Sequence, residues 1–373
     1  MEKYSIRTAC RHFTGEKPCR FHKEEGAECP ECGDYSPQSE RILLIKLGAM
    51  GDVIRTTFLL PGLREKYPDC HITWITEKGS SELLLNIDML DSVMELSPET
   101  LAYLMAIEFD IVFSLDPSLP GGALAKIVRA KVKKGFGLDS YGKLRPLDDA
   151  SREWYLTGIF DSLKKKNRKT YQEMAADITG IKNKHSEVIL NLSGKEKEFG
   201  RDFLKKHNIP QDKPVIGINT GAGGRWKLKK WTREGFLALI SMLEADGNAS
   251  ILLFGGPLEK ERNAWLMENS AGGVFDTGTD NTPREFMALL NLCDVLVSGD
   301  TFAMHAAVGL KKKTIALFGP TSSAEIELYG RGEKIVSPIE CVCCYRADCS
   351  KSPNCMELIK PESVHGAVRR ILS

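Results

Sequence analysis

The feature that most constrains this chain is a pattern that occurs twice. Short apolar runs of strand length each end in a glycine-bearing turn and pass into a helical stretch. Arg41–Leu47 (RILLIKL) ends in Gly48-Ala49-Met50-Gly51-Asp52 and leads into a helical segment, Val53–Tyr67; His71–Thr76 is the next strand, which completes a βαβ unit. Asp110–Leu115 predicts a further strand, Gly121–Arg129 a helix and Val132–Gly135 a short strand. After a charged stretch of loops and helices over 140–186 and an amphipathic helix, Lys195–His207, the pattern restarts at the strand Val215–Asn219. Strands at Ser250–Phe254, Asp294–Ser298 and Lys313–Phe318 follow. They alternate with helices at Trp231–Asp246, Glu259–Asn269, Pro283–Cys293 and Phe302–Gly309, and a terminal helix covers Pro361–Leu372. Two such runs imply an α/β protein with two Rossmann-like, doubly wound parallel sheets. Ligands bind such sheets at the carboxyl ends of the strands, here in a central cleft between the two domains.

The length agrees, since single cores stop growing near ~250–300 residues and the chain has 373. Apolar residues at 42% and charged residues at 27% suit a soluble globular protein, and a net charge of +1 provides no global field for nucleic acid. No stretch approaches the ~18 apolar residues of a membrane span. Met1–Lys23 is polar and cysteine-bearing, unlike a signal peptide, so a cytoplasmic location is expected.

Four turns are candidates for chemistry. In Gly48-Ala49-Met50-Gly51-Asp52, Gly48 and Gly51 let the backbone approach a ligand, and Asp52 at a helix start is placed to take a proton from an attacking hydroxyl. Helix capping is the simpler account of Asp52 from spacing alone. In Asn219–Lys230 (NTGAGGRWKLKK), backbone N–H groups can cradle a diphosphate, and Lys227, Lys229 or Lys230 can neutralise it; a solvated basic loop is the alternative. Gly299-Asp300-Thr301 opens a helix that carries His305 on the face of Thr301, an arrangement suited to an anion, although capping explains each residue singly. Glu259, after Gly255-Gly256-Pro257, is placed to accept ribose or base hydrogen bonds, or simply to begin a helix. The turns of the second run gather at one sheet edge. That gathering argues for a nucleotide-diphosphate ligand better than any single turn does.

The motifs KLGAMGDVIRTT, the glycine-rich loop before KKW, GGPxExER, VSGDTxxMHxA and ALFGPT occur in an order that resembles glycosyltransferase family 9, the ADP-heptose:lipopolysaccharide heptosyltransferase family, over about residues 41–372. The resemblance implies the GT-B architecture and inverting transfer of a sugar from an ADP-sugar to a glycolipid or lipopolysaccharide-core acceptor, without a catalytic metal. It implies that Asp52 is the general base and that Lys229 contacts the donor diphosphate. Thr220 and Gly221 then belong to the donor loop, Glu259 to the nucleoside-contacting turn, and Asp300, Thr301 and His305 to the segment that grips donor phosphates and sugar. On this division 40–194 is the acceptor domain, 195–355 the donor domain, 356–373 a C-terminal helix and 1–39 a cysteine-rich extension. Phe302 stands where the family commonly has glycine, which leaves the donor sugar open. A sugar-nucleotide epimerase shares the architecture, and a non-catalytic, metal-stabilised binding protein is the other alternative.

The eleven cysteines cluster at the two ends. Cys10, Cys19, Cys29 and Cys32 have the spacing C-x8-C-x9-C-x2-C, with His12 and His22 as substitute ligands. Cys341, Cys344, Cys349 and Cys355 form a second candidate set, with Cys343 spare. Structural zinc is the expectation, because thiolate sites order segments too polar to fold alone. Iron–sulfur ligation uses the same residues, and free thiols are the plain alternative. Lys126, Arg129, Lys131, Lys133 and Lys134, with Lys164–Lys166, Arg168 and Lys169, make the first half locally basic and suggest peripheral contact with the inner face of an anionic membrane.

Overall fold

A computed structural model describes residues 5–224 and 226–373; the side chain of Lys227, one of the three lysines proposed for the diphosphate, lies outside the described residues. The first sheet contains β1 (Arg41–Ile45), β2 (His71–Thr76), β3 (Ser92–Glu95), β4 (Glu108–Ser114), β5 (Arg129–Leu138) and β6 (Leu144–Pro146), in the order β3-β2-β1-β4-β5-β6. The second contains β7 (Val215–Asn219), β8 (Ser250–Phe254), β9 (Val274–Asp276), β10 (Val295–Gly299), β11 (Lys313–Phe318) and β12 (Gly332–Val336), in the order β12-β11-β10-β7-β8-β9. Counted within each sheet, both orders are third-second-first-fourth-fifth-sixth. The crossover where strand order reverses therefore falls between β1 and β4 and between β7 and β10. Every pairing is parallel except the antiparallel return of β5 onto β6. The central strands β1, β7, β8 and β10 are buried almost end to end, as strands covered on both faces must be.

Some sequence expectations needed correction. The helix expected over Val53–Tyr67 is two helices, α2 (Met50–Thr56) and α3 (Leu59–Lys66). The break has a local cause. The Thr57 hydroxyl donates to the carbonyls of Ile54 (2.7 Å) and Ile189 (3.0 Å), and the Thr56 hydroxyl donates to the carbonyl of Asp52 (2.6 Å). The strand read as Val132–Gly135 is the ten-residue β5, whose lysine-rich outer half hides its strand character. β3, β9 and β12 are too short or too polar to read in isolation and form by pairing with buried neighbours.

One apolar cluster runs from the first sheet into the second, joining Ile42, Ile54 and Phe58 to Leu190, Phe254, Met287 and Ala303. The halves are held by several contacts, among them the Arg331–Glu187 ion pair (2.6 Å) and two helix packings. α2 packs on α13 (Phe302–Gly309), and a Cβ built on Gly51 would come within 2.3 Å of the His305 ring, so only glycine fits there. α12 (Pro283–Leu290) packs on α9 (Gly194–Lys206), and its buried Arg284, held by Glu196 (2.6 Å), reaches across to the Asn191 carbonyl (2.8 Å) and the Glu82 carbonyl (3.2 Å) of the first half. No helix among the described residues is long and apolar enough to cross a membrane.

Candidate active site

The turn after β1 is built around charge. Lys46, at the end of an otherwise apolar strand, is 2% exposed, and its ammonium lies 3.3 Å from Asp52 and 3.8 Å from Asp116. The Asp116 carboxylate accepts from the backbone N–H groups of Leu47 (2.8 Å) and Gly48 (3.2 Å), which fixes the turn. Arg55, one turn along α2, donates to Asp52 from Nη2 (2.8 Å) and Nε (3.0 Å), and its guanidinium lies 3.8 Å from the ring centre of Tyr171. Burial raises the Asp52 carboxyl, but Arg55 and Lys46 outweigh it and hold the group at about 2, well below the usual carboxylate range. Asp52 is therefore ionised at neutral pH, oriented by two cations and open to the cleft over 30% of its side chain.

Facing it across the cleft is the start of α13. Thr301 caps the helix by accepting from Met304 N–H (3.5 Å), and its hydroxyl also meets Ser298 (2.9 Å) and the Asn219 amide (3.3 Å). Asp300 pairs with Lys229 at 2.8 Å and lies 3.7 Å from His305. Burial alone would raise the Asp300 carboxyl, yet the neighbouring His305 ring and the charge of Lys229 hold it far below the usual range. Burial lowers His305 despite Asp300, so its ring is neutral at physiological pH. Lys229 closes a short turn of 3-10 helix, and its carbonyl sits so near Gly299 that a Cβ there would approach to 2.5 Å.

Two cavities adjoin at this edge. One, of about 370 Å³, is lined by Gly221, Gly223, Gly255, Glu259, Asn281 and Phe286, the glycine turns of the second sheet. The other, of about 340 Å³, spans the two halves and holds Asp52, Arg55, Lys229, Asp300, His305 and Glu325. The fold thus brings Asp52, Lys229, Asp300, Thr301 and His305 to one cleft, with Gly221 and Glu259 beside it. Thr220 is turned the other way: it is fully buried, and its hydroxyl donates to Asn263 (2.6 Å) inside the second half. Glu259 is committed to Lys230 and to the Gly256 N–H (3.1 Å), so it shapes the glycine turn.

Several cleft residues were not singled out from sequence. Lys46 could have been, as a charge directly after the apolar run Ile42–Ile45. Arg55 could have been too, as the i+3 neighbour of Asp52 on α2; Tyr171 and Glu325 carried no local signal, because each reaches the site only through tertiary packing. Burial pushes the Glu325 carboxyl up, and the Tyr345 hydroxyl donates to it at 3.4 Å. Tyr345 also stands edge-on to Trp226, with ring centres 6.0 Å apart, so the cysteine-bearing tail forms part of the cleft wall.

Two Rossmann-like domains of matching strand order, with a nucleotide-sized cavity on one side of the cleft and an oriented carboxylate on the other, define a GT-B-type protein. The family model for glycosyltransferase family 9 (heptosyltransferase) matches residues 102–354, and the chain belongs to that family. Lipopolysaccharide heptosyltransferase 1 of Escherichia coli K12 is 24% identical over 318 residues, covering 79% of this chain and 92% of the relative. Lipooligosaccharide heptosyltransferase 2 of Campylobacter jejuni is 25% identical over 223 residues, covering 55% of this chain and 69% of the relative. Among solved structures, the glycosyl transferase family 9 protein of Veillonella parvula superposes with a TM-score of 0.73 at 18% identity, over 90% of this chain and 97% of that one.

Proposed function

We propose that the chain is an inverting glycosyltransferase that moves a heptose from ADP-heptose to a lipopolysaccharide-core acceptor. One observation carries the reading: the α2–α13 contact holds an ionised, cation-oriented Asp52 across the cleft from Lys229 and the Asp300–Thr301 helix start. Asp52 accepts the proton of an acceptor hydroxyl as its oxygen bonds to the anomeric carbon. The bond from that carbon to the diphosphate breaks on the opposite face, and ADP leaves with the electron pair. Lys229 and the free N–H groups at the start of α13 stabilise the departing charge. The nucleoside occupies the cavity of Gly221, Gly255 and Glu259, with Thr220 contributing backbone only. No step is routed through a metal ion.

In this reading residues 40–194 receive the acceptor, 195–355 the donor, and the helix at 356–373 braces the donor side. The protein works on the cytoplasmic side of the inner membrane. Ile159, Phe160 and Leu163 are exposed beside Lys165, Lys166 and Arg168, an apolar tip with a basic collar suited to an anionic lipid surface. Lys131 is less available, since it pairs with Asp110 at 2.7 Å. The cysteine sets are structural; Cys341, Cys344, Cys349 and Cys355 are proposed as one zinc-holding set.

The test is an assay with ADP-heptose and lipopolysaccharide from a heptose-deficient strain. Acceptor-dependent release of ADP and addition of one heptose mass are expected. Isomerisation of the sugar nucleotide without acceptor would replace this reading with an epimerase.

A further inference from the structure

The N-terminal segment raises a separate question: what keeps it ordered. No residue before Ile42 belongs to any apolar core cluster, and from Ser5 to Glu40 only Cys10 is buried. Regular structure there amounts to α1 (Arg20–Glu25), one turn of 3-10 helix at Cys29–Glu31 and an isolated bridge between Cys10 and Pro37. A segment this polar lacks the apolar burial that would offset its ordering entropy.

The chain nevertheless folds around its thiols. Cys10, Cys19, Cys29 and Cys32, spread over 23 positions, all line one small cavity, with His12 and Asp34 at its wall. That cavity measures about 20 Å³, the room of a single atom or water. A tight backbone turn closes on three of the four: Phe13 N–H donates to the Cys10 carbonyl (3.2 Å), Lys23 N–H to that of Cys19 (3.1 Å) and Tyr35 N–H to that of Cys32 (3.4 Å). All four thiols are unpaired.

We propose that Cys10, Cys19, Cys29 and Cys32 hold a structural zinc ion in the cavity they line. No three such side chains among the described residues are gathered at ligating distance. Binding therefore turns the thiols inward, each losing its proton, to a tetrahedral set with zinc–sulfur distances of about 2.3 Å. The ion staples the segment to the first domain, where the Arg11 guanidinium donates to the Cys70 carbonyl (2.6 Å) and lies 3.5 Å from Asp91. Those contacts fall just before β2 and β3, at the end of the sheet opposite the cleft, so the ion is remote from the transfer chemistry.

The experiment is metal analysis of the full chain. Cys29→Ser/Cys32→Ser is expected to lose one zinc relative to the unsubstituted protein, whereas Cys344→Ser/Cys349→Ser keeps that ion. Cobalt substituted for zinc in Cys344→Ser/Cys349→Ser is expected to show a thiolate charge-transfer band that is lost when Cys29→Ser/Cys32→Ser is added. Chelation of the unsubstituted protein should expose residues 5–39 to protease, and zinc should restore protection, which keeps the test usable if a variant misfolds. The proposal fails if Cys29→Ser/Cys32→Ser retains the full zinc content, if the protein takes up no zinc, or if iron with a cluster absorbance occupies the thiols.

Discussion

The two sheets share one strand order, yet their carboxyl edges are made of different materials. After β1 the turn is ionic: Lys46, Arg55 and Asp116 surround Asp52. After β7, β8 and β10 the turns are largely backbone, with Gly221, Gly255 and Gly299 where side chains would collide with Glu259, Asn263 or the Lys229 carbonyl. The first edge fixes a charged side chain in one direction. The second leaves backbone N–H groups at the cavity, with Lys229 beside them from the loop. In the function proposed above, a single architecture thus carries an acid–base half and a phosphate-binding half, and the fold decides only where each can stand.

This division of labour can be broken one edge at a time. The largest effect is expected from Asp52→Asn, which should lower transfer by at least ~10²-fold and leave ADP affinity unchanged by calorimetry. Transfer at the original rate would reduce Asp52 to a helix cap. Next is Gly51→Ala, since the added methyl meets His305 at 2.3 Å and must push the edges apart. A shift near 1 Å can cost up to ~10²-fold in transfer, with ~1–3 kcal/mol of stability lost to overpacking and visible in a melting curve. An unchanged rate and melting temperature would show that the cleft tolerates opening.

Lys229→Ala should act on the other edge, weakening ADP about tenfold, as expected for a charge-assisted contact, and flattening the salt dependence of what binding is left. Equal ADP affinity would transfer the role to Lys227 or Lys230. The smallest effect is a pH shift. The Asp52 carboxylate has its pKa depressed to about 2, so its base form persists through the mildly acidic range. Arg55→Ala removes the main lowering charge, so the acidic limb of the rate profile should move to higher pH. A limb that stays in place would mean that another group sets it. The same depression stabilises the fold above the unfolded carboxylate value near ~3.9 and is lost as pH falls towards about 2, with solvent screening limiting its size.

Much of this was legible in the sequence. Apolar strands ending in glycine turns determined two doubly wound sheets, because strand burial and turn geometry are written locally in residue type. Asp52 and Asp300 could be singled out for the same reason, each following a strand at a turn; His305 follows from its helical spacing to Thr301, and the family resemblance selects Lys229 among Lys227, Lys229 and Lys230. Tertiary structure alone decided that Asp52 faces His305 across the cleft, since that rests on Gly51 admitting α13 from more than 250 positions away. It also turned Thr220 inward to Asn263 and brought Tyr345 of the cysteine-bearing tail to Glu325 at the cleft. Packing across a domain boundary joins residues that share no local pattern. Such contacts form only when two separately specified cores meet, and no sequence window contains both sides.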